Sequence, residues 1–380
     1  MKHNWEYKKI NDLGIIKSGY TPSSDDLATN GDFPYFKVAE MNLPGNEKYL
    51  IHAPSYLSGE IKTFPANSIV FPKNGAAVST NKKRILQVDS VVDLNTAVML
   101  ANQNISVNYL YYILINIDFA NLVKRGAVPT LNISELKNII VPVPPMETQE
   151  QIVAELDQIH DLIAKNRELL SQLDALTKSL FYDIFGDPSV NPKSFPLCAL
   201  SDICDAISIG ITYKPEMVAE DGTIVLRSSN IQESKFVLDD IVRVQMQLKE
   251  SQYVKKNDIL MCSRNGSARL VGKVCLIPDL NEKMSWGAFM TIIRSKHFRF
   301  LFHYFRLPAF REQLKKTKTS TVNQITIGML KSIKLPFPPL ALQEDFAAKV
   351  EAIEAQKAKV EAEIAELQTL LDARMDYWFN

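Results

Sequence analysis

Basic, amide and hydroxyl side chains gather in short loop-like stretches in two regions of this 380-residue chain. The first region holds Lys37, Lys73, Asn74, Lys82, Lys83, Arg84, Lys124 and Arg125. The second region holds Arg227, Ser229, Asn230, Arg264, Asn265, Ser267, Arg269, Lys315, Lys316 and Lys318. Arginine, asparagine and serine can hydrogen-bond to base edges in the major groove of double-stranded DNA, and lysine suits phosphates. A single cluster of this kind is more often solvated surface, but two comparable sets favour DNA binding.

Charge is distributed unevenly along the chain, although its 43 basic and 43 acidic residues cancel. Residues 188–339 hold 22 lysines and arginines against 13 aspartates and glutamates, and residues 1–141 hold 14 against 12. The other two stretches are acidic, with 3 against 9 in residues 142–187 and 4 against 9 in residues 340–380. Because a basic domain attracts the phosphate backbone, this partition indicates nucleic-acid binding, most strongly in residues 188–339.

Motifs for catalysis are missing from the sequence. It contains no G-x-x-x-x-G-K-[ST], no G-x-S-x-G, no H-E-x-x-H and no Asn-Pro-Pro catalytic loop of a DNA methyltransferase. The cysteines (Cys198, Cys204, Cys262 and Cys275) form no C-x2-C pair, which favours buried reduced thiols over a disulfide or a zinc site. We therefore expect no catalytic residue, no metal site and no cofactor in this chain.

The overall composition, with 46% hydrophobic and 23% charged residues, is that of a globular protein. No uninterrupted apolar run approaches the ~20 residues of a membrane span, and the N-terminus, MKHNWEYKK, lacks the apolar core of a signal peptide. We therefore expect a cytoplasmic protein without a membrane partner.

The chain contains an internal repeat, visible when it is shifted by 194 residues. Nine residues of the first copy then meet identical residues: Ile133, Leu136, Lys137, Ile139, Pro142, Pro144, Pro145, Gln149 and Glu150. Earlier in each copy the offset drifts to about 190, with weaker matches. Those matches pair Asn11-Asp12 with Ser201-Asp202, Lys37 with Arg227, and Asn74-Gly75 with Asn265-Gly266.

A long helical pattern follows each proline phrase, "VPVPPMETQE" and "LPFPPLALQE". Apolar positions alternate in steps of 4 and 3 from Ile152 to Ile184 and again from Phe346 to Trp378. Each stretch runs about 38 residues, or roughly 57 Å. One such seam alone indicates a helix packed on a globular core, but two in the same register favour an antiparallel pair. The polar seam residues Asn166 and Lys357 either specify the register of that pair or lie near solvent.

The prolines of each phrase end a strand and stiffen the chain before a helix starts, because proline cannot continue a sheet ladder but is tolerated in the first helical turn. Before them lie mixed α+β domains with strand-like runs such as "SIVFP" and "DILMCS". Helices are predicted for Val107 to Val123 and Phe298 to Lys316. The predicted boundaries are domain 1 at 1–143, helix 1 at 144–187, domain 2 at 188–337 and helix 2 at 338–380.

This order of domain, Pro-Pro-x-x-x-Gln-Glu helix, domain and Pro-Pro-x-x-x-Gln-Glu helix resembles the specificity subunit of type I restriction-modification systems. The resemblance covers the whole chain. Its most specific marks are "VPVPPMETQEQIVAELD", "LPFPPLALQEDFAAKVE" and "NDILMCSRNGS". It implies an α+β fold with two repeated α/β target-recognition domains separated by two long antiparallel coiled-coil helices in a pseudo-two-fold arrangement.

The resemblance also implies a function and a set of partners. Each domain would recognise one half of a bipartite DNA site, and the helices would set the unread spacer. Two modification (methyltransferase) subunits and the restriction (translocase and nuclease) subunits would join, and S-adenosylmethionine, ATP and magnesium would be bound by those partners. Some relatives carry an extra C-terminal segment that meets the N-terminus and closes the subunit into a ring. If closure of a ring is needed here, residues 1–9 and 377–380 would have to provide it alone.

Two other hypotheses remain open at this point. A non-enzymatic scaffold with duplicated protein-binding domains is compatible with the acidic helices and the zero net charge. A self-contained restriction or methylation enzyme would require methyl transfer by the purified chain.

Overall fold

The computed structural model describes residues 5–124, 126, 128–317 and 324–380, except for the side chains of residues 316 and 317. The strands of the first half are β1 (Glu6–Lys9), β2 (Gly14–Ser18), β3 (Phe33–Phe36), β4 (Tyr49–Leu50), β5 (Ser55–Leu57), β6 (Ile69–Pro72), β7 (Arg84–Leu86), β8 (Val91–Val92), β9 (Thr96–Ala101), β10 (Val123–Lys124), β11 (Thr130–Leu131) and β12 (Ile140–Val143). The helices there are α1 (Ile10–Leu13), α2 (Val107–Asn116), α3 (Ile133–Asn138) and α4 (Met146–Phe185).

The second half repeats this order of elements. Its strands are β13 (Leu197–Ala199), β14 (Ala206–Ile209), β15 (Val218–Leu226), β16 (Ile231–Gln232), β17 (Lys235–Phe236), β18 (Arg243–Val244), β19 (Ile259–Cys262), β20 (Val274–Leu276), β21 (Met284–Trp286), β22 (Met290–Arg294) and β23 (Lys334–Pro336). Its helices are α5 (Leu200–Ile203), α6 (Phe298–Phe305), α7 (Pro308–Thr317), α8 (Ile327–Ser332) and α9 (Leu340–Phe379).

The chain divides into two compact units, and each contains parts of both long helices. The first unit is Met1–Arg167 with Ala362–Asn380, and the second is Glu168–Glu361. The predicted α+β class is confirmed in both units.

The first unit is built on a five-stranded sheet in the order β2-β9-β6-β7-β4 and a three-stranded sheet in the order β5-β3-β8. Every residue of β6 is buried, as its uninterrupted apolar sequence "IVFP" predicts. One core joins this sheet to α2, to the start of α4 and to the end of α9, through residues such as Tyr109, Ile152 and Leu371.

The second unit contains a four-stranded sheet in the order β14-β22-β19-β20 and a three-stranded sheet in the order β18-β15-β21. Strand β19 is buried along its whole length and pairs antiparallel with both of its neighbours. The main core of the second unit is rich in aromatic rings, and Phe300 stacks on Phe181 with ring centroids 5.6 Å apart.

The long helices pack antiparallel within each unit, as the two seams predict. In the first unit, Glu155 of α4 accepts hydrogen bonds from Arg374 (2.9 Å) and Trp378 (3.0 Å) of α9. In the second unit, the ring of Phe181 meets the ring of Phe346 edge to face at 5.6 Å. Early residues of α4 therefore face late residues of α9, and late residues face early ones.

Both polar seam residues hydrogen-bond across the helix pair. Lys357 is buried, and its ammonium lies 2.8 Å from the Asp174 carboxylate of the facing helix. Asn166 donates to Glu363 at 3.3 Å. Lys357 is therefore buried between the helices, as a residue that specifies their register would be, whereas Asn166 makes its cross-helix bond at a half-exposed position near solvent.

Two predicted helices are shorter than the apolar pattern suggests. The helix predicted for Val107 to Val123 ends at Asn116, because the Asp118 side chain accepts a hydrogen bond from the Ala120 amide and starts a separate turn. The helix predicted for Phe298 to Lys316 is interrupted between α6 and α7 at Pro308, since proline disfavours helix in the residue before it.

The N-terminal strand and the last turn of α9 meet in the first unit. The ring of Trp5 stacks on Trp378 with centroids 5.9 Å apart, and Phe379 packs against Tyr109 at 5.5 Å. The expected contact between residues 1–9 and 377–380 is therefore present. Among the described residues no helix is both long and apolar enough to cross a membrane.

The glutamine of each proline phrase ties the start of its long helix to the domain before it. Gln149 donates to the Pro144 carbonyl (2.9 Å) and accepts from the Ser106 amide (2.9 Å). Gln343 donates to the Pro338 carbonyl (2.8 Å), and its amide oxygen lies 2.9 Å from Nδ1 of His297. Ser106 and His297 each precede a domain helix, α2 or α6. The two glutamines therefore form equivalent joints, and we call them the glutamine joints.

Candidate nucleic-acid interface

Equivalent strand ends and turns meet at one edge of each unit, and we call this set the recognition edge. It comprises residues 19–21, 37, 73–75 and 93–96 of the first unit and residues 210–213, 227–230, 263–265 and 287–290 of the second. In the first unit the backbone bonds run from Tyr20 N to Val92 O (2.9 Å), from Asp93 N to Phe36 O (2.9 Å) and from Lys73 N to Asn95 O (2.8 Å). In the second they run from Ile211 N to Trp286 O (2.7 Å), from Gly287 N to Leu226 O (3.0 Å) and from Ser263 N to Phe289 O (2.9 Å).

Close approach of two backbone segments requires glycine at one position of each edge. A Cβ on Gly19 would lie 2.3 Å from the Asp93 carbonyl oxygen, and a Cβ on Gly210 would lie 2.3 Å from the Gly287 carbonyl oxygen. Since real side chains do not tolerate such distances, both positions exclude every residue but glycine. The match also makes Gly287 the structural equivalent of Asp93.

The first recognition edge contains a fixed carboxylate. Asp93 accepts hydrogen bonds from Thr21 Oγ1 (2.9 Å), the Tyr35 hydroxyl (3.1 Å) and the Asn95 amide (2.8 Å). Burial by itself raises the pKa of Asp93, but these hydrogen bonds outweigh burial and bring it below its ordinary value. Burial and the Asp93 charge raise the pKa of Tyr35 to about 12. Asp93 is therefore a permanent anion inside the edge, and Tyr35 stays a donor.

Two lysines lie near this carboxylate and its partner Tyr35. The Lys37 ammonium lies 5.5 Å from the centre of the Tyr35 ring, and Lys73 donates to Ser18 Oγ at 2.7 Å. Burial lowers the pKa of Lys73, although the nearby Asp93 charge opposes this effect. Two predicted DNA-contacting lysines therefore lie together at the first edge.

The second recognition edge has a cavity of about 550 Å³, next to the glycine that replaces Asp93. Its lining includes Tyr213, Arg227, Ser229, Asp240 and Phe289. Arg227 forms an ion pair with Asp240 at 2.6 Å, and Asn265 donates to the Ser228 hydroxyl at 3.2 Å. The guanidinium of Arg264 lies 5.2 Å from the centre of the Phe289 ring. Four predicted residues, Arg227, Ser229, Arg264 and Asn265, are thus brought together.

The structure confirms one pairing of the repeat and shifts another. The Lys37 amide donates to the side chain three residues on, Glu40, and the Arg227 amide does the same to Asn230. Asn74 forms an isolated bridge with Thr130, whereas the matching bridge with Gln324 is formed by Arg264. The equivalent of Asn74 is therefore Arg264, and its assignment to Asn265 from the sequence is wrong by one residue.

Two predicted DNA contacts are wrong because their side chains are buried. Lys83 has no exposed surface, lies 3.8 Å from the centre of the Phe119 ring and donates to the Ile117 carbonyl at 2.9 Å. Burial lowers the pKa of Lys83 to about 7. Asn230 is 1% exposed and donates to the carbonyls of Val237 and Asp240 at 3.0 and 3.2 Å. Both side chains hold loops together inside their domains.

Other predicted residues lie apart from the edges or are engaged in their own loops. Arg84 is half-buried and donates to the carbonyls of Lys83 (2.7 Å) and Met41 (2.9 Å), and Lys82 donates to Asn42. Lys124, Ser267, Arg269 and Lys315 are exposed. Ser229 differs from these residues because it lines the cavity of the second edge, and its buried hydroxyl has no hydrogen-bond partner among the described residues. Arg125 and Lys318 lie outside the described residues, as does the side chain of Lys316.

Sequence reasoning missed Asp93 and Phe289. Asp93 is an isolated acid in a strand-like run, and only the spatial approach of Thr21 and Tyr35 makes it part of the edge. Phe289 is 57% exposed, and a lone phenylalanine in a turn is the single signal that the sequence offers for it.

The part of the chain that the structure describes contains neither an assembled metal-binding site nor a disulfide. No group of three or more histidine, cysteine, aspartate or glutamate side chains is placed to hold a metal ion there. The four cysteines are free thiols, buried or half-buried. Burial raises the pKa of both Cys204 and Cys275 to about 12, so both remain protonated at neutral pH.

Comparisons with known proteins agree with this arrangement. Residues 2–175 and 192–369 match the sequence family described as the type I restriction modification DNA specificity domain. The chain is 29% identical over 189 residues to the EcoKI specificity subunit of Escherichia coli K12, covering 47% of this chain and 40% of that protein. It is 23% identical over 382 residues to the MjaVIII specificity subunit of Methanocaldococcus jannaschii, covering 92% and 86%. The match thus spans less than half the length of the EcoKI protein.

Two solved structures share the fold. The S subunit of a type I restriction-modification system from M. genitalium superposes with a TM-score of 0.54 at 15% identity, covering 99% of this chain and 96% of that one. A chain from a structural study of assembly and conformational transition of the type I R-M system superposes with a TM-score of 0.60 at 16% identity, covering 98% and 96%.

Proposed function

Because the chain belongs to the type I restriction modification DNA specificity family, we propose that it selects the DNA sequence on which a type I restriction-modification complex acts. Each unit recognises one half of a bipartite site through its recognition edge. The observation that carries this proposal is the duplicated backbone arrangement, which presents Lys37 and Lys73 in one unit and Arg227 and Arg264 in the other. Lys37 and Arg264 are exposed and Lys73 and Arg227 are half-buried. Accessible cations on rigid strand ends suit both phosphates and base edges.

The long helices set the spacing between the half-sites. Each of α4 and α9 contains 40 residues. At 1.5 Å per residue such a helix is about 60 Å long, comparable with about 18 base pairs of duplex. The cross-helix contacts of Lys357 and Asn166 fix their register, and a fixed register is what a constant spacer requires.

The chain acts without chemistry of its own. Two modification subunits dock on it and transfer methyl groups to adenine, and restriction subunits cut the DNA. S-adenosylmethionine, ATP and magnesium belong to those partners. In support of this division, the recognition edges present hydrogen-bonding and basic side chains such as Lys37 and Arg264, which suit DNA binding.

The decisive experiment maps methylated adenines in cells that lack other DNA methyltransferases and express this chain with its modification subunit. We expect one bipartite motif with a constant spacer. Purified complexes should bind that motif with an affinity that falls steeply with salt, because phosphate contacts release counterions. Methylation without any sequence preference, or a stable complex that binds no DNA, would favour a protein scaffold and overturn the proposal.

A further inference from the structure

We propose that the half-site recognised by the second unit contains a guanine contacted by Arg264, and that Asn74 at the equivalent position of the first unit makes the other half-site chemically different. This inference rests on the proposed function and adds the base that one residue selects.

The backbone of Arg264 is held in place. Its amide donates to the Phe289 carbonyl at 3.0 Å, next to the bond that the Ser263 amide makes to the same oxygen at 2.9 Å. The residue also follows the buried strand β19 and bridges to Gln324. Since both bonds anchor the backbone at a strand end, the side chain projects from a rigid position rather than from a free loop.

The guanidinium of Arg264 is pre-oriented by an aromatic ring. It lies 5.2 Å from the centre of the Phe289 ring, and Phe289 keeps 57% of its surface exposed. Stacking of an arginine on an aromatic face restricts its rotation without using its N–H donors. Less conformational entropy is therefore lost when those donors bind a base.

Other arginines of the second unit are committed to carboxylates. Such pairs join Arg227 to Asp240, Arg243 to Glu282, Arg294 to Asp258 and Arg299 to Glu351, at 2.6 to 2.9 Å. Arg264 is exposed, and none of the ion pairs among the described residues includes it. Arg264 is thus a cation at the recognition edge whose charge a described acid does not neutralise.

Guanine is the base that matches such a side chain. Its major-groove edge presents two acceptors, N7 and O6, and the parallel N–H groups of a guanidinium can bind both at once. Lysine supplies one point charge without this fork, so the geometry distinguishes arginine from lysine at this position.

The first unit differs at the same structural position. Asn74 stands at the position of Arg264. Asn95 stands at the position of Phe289, because its carbonyl accepts from the Lys73 amide as the Phe289 carbonyl accepts from the Ser263 amide. The Asn74 side chain donates to Asn95 Oδ1 at 3.4 Å. Asparagine binds adenine through paired donor and acceptor groups, and neither residue here offers the two parallel donors that guanine needs. The two edges therefore favour different bases from one backbone framework.

The test compares methylation motifs of variants in the full complex. Arg264→Lys should relax one guanine in one half-site, reducing the preference for that base about 5- to 150-fold while the other half-site stays unchanged. Arg306→Lys is the matched control and should leave the motif intact, because Arg306 is an exposed arginine of the same unit that stacks on the Phe302 ring at 5.2 Å outside the recognition edge. Asn74→Ala should change a position in the opposite half-site. Thermal unfolding and complex assembly of each variant show whether the fold is preserved.

A second measurement changes the DNA instead of the protein. In the mapped motif, replacing the sensitive guanine by 7-deazaguanine removes the N7 acceptor. The wild-type complex should lose affinity, while Arg264→Lys should lose much less. Equal losses in both complexes, unaltered guanine preference in Arg264→Lys, or changes by Arg264→Lys and Asn74→Ala in the same half-site would overturn the inference. A complex with no sequence preference at all would instead overturn the proposed function.

Discussion

Replacing Gln149 by leucine should destabilise the first unit. Gln149 is 1% exposed, donates to the Pro144 carbonyl and accepts from the Ser106 amide, both at 2.9 Å. Leucine has nearly the same size but leaves both backbone groups without a partner. Each unsatisfied buried group costs about 1–3 kcal/mol. Because the Ser106 amide is half-buried and water can reach it in part, we expect a total loss of about 2–4 kcal/mol.

Thermal denaturation should be combined with hydrogen exchange. A chain of two units need not unfold in a single step, and exchange rates report on each unit separately. In a domain of this size about 1 kcal/mol lowers the melting temperature by 2–4 °C, so Gln149→Leu should lower that of the first unit by about 4–16 °C. Faster exchange should appear in α2, whose first residue follows Ser106. The neighbouring Gln151→Leu is the control, because Gln151 is exposed on the same helix. If Gln149→Leu and Gln151→Leu lowered the melting temperature equally, the assigned role of the glutamine joint would be wrong.

Three further predictions follow from buried titratable groups and from the helix pair. Burial, with smaller contributions from Arg306 and Lys357, lowers the pKa of His303 to about 3, so stability should be lost as pH falls from about 6.5 towards 3. In urea titrations at pH 7 and 5, His303→Phe should remove that loss and exposed His52→Gln should not. Burial lowers the pKa of Lys83 to about 7, so the fold binds fewer protons than the unfolded chain up to about pH 10.4 and gains stability as pH rises through this window. Lys83→Met should flatten this rise between pH 7 and 9, and an unchanged slope of the denaturation midpoint against pH would contradict the assignment. Finally, inserting one heptad into each long helix should lengthen the spacer of the methylated motif by about 3 base pairs without changing either half-site. An unchanged spacer in the mapped motif would show that the helices do not set the distance.

Several features of the fold could be predicted because the sequence states them locally. The identical residues at an offset of 194 form equivalent helices, α3 at Ile133–Asn138 and α8 at Ile327–Ser332. The uninterrupted seams give two helices of 40 residues each. The prediction of one helix over Phe298 to Lys316 was wrong because Pro308 disfavours helix in the residue before it, although the apolar pattern on both sides fits a single helix.

The recognition edge could be predicted only in part, because exposure depends on contacts distant in sequence. Lys83 looks like a member of a basic loop, yet the Phe119 ring and the Ile117 carbonyl enclose it. Arg227 and Arg264 were identified from residue type, whereas the platform beneath Arg264 comes from Phe289, 25 positions later in the numbering. Residue type thus indicates what a side chain can bind, but long-range packing decides whether DNA can reach it.

The close backbone contacts at Gly19 and Gly210 have a consequence for how binding preferences diverge. Main-chain hydrogen bonds hold much of each edge, and the side chains at positions 74 and 264 take no part in those bonds. Mutational tolerance should therefore be lowest at the two glycines and high at positions 74 and 264. Such a separation allows new target sequences to evolve by single substitutions, without first acquiring compensating changes in stability.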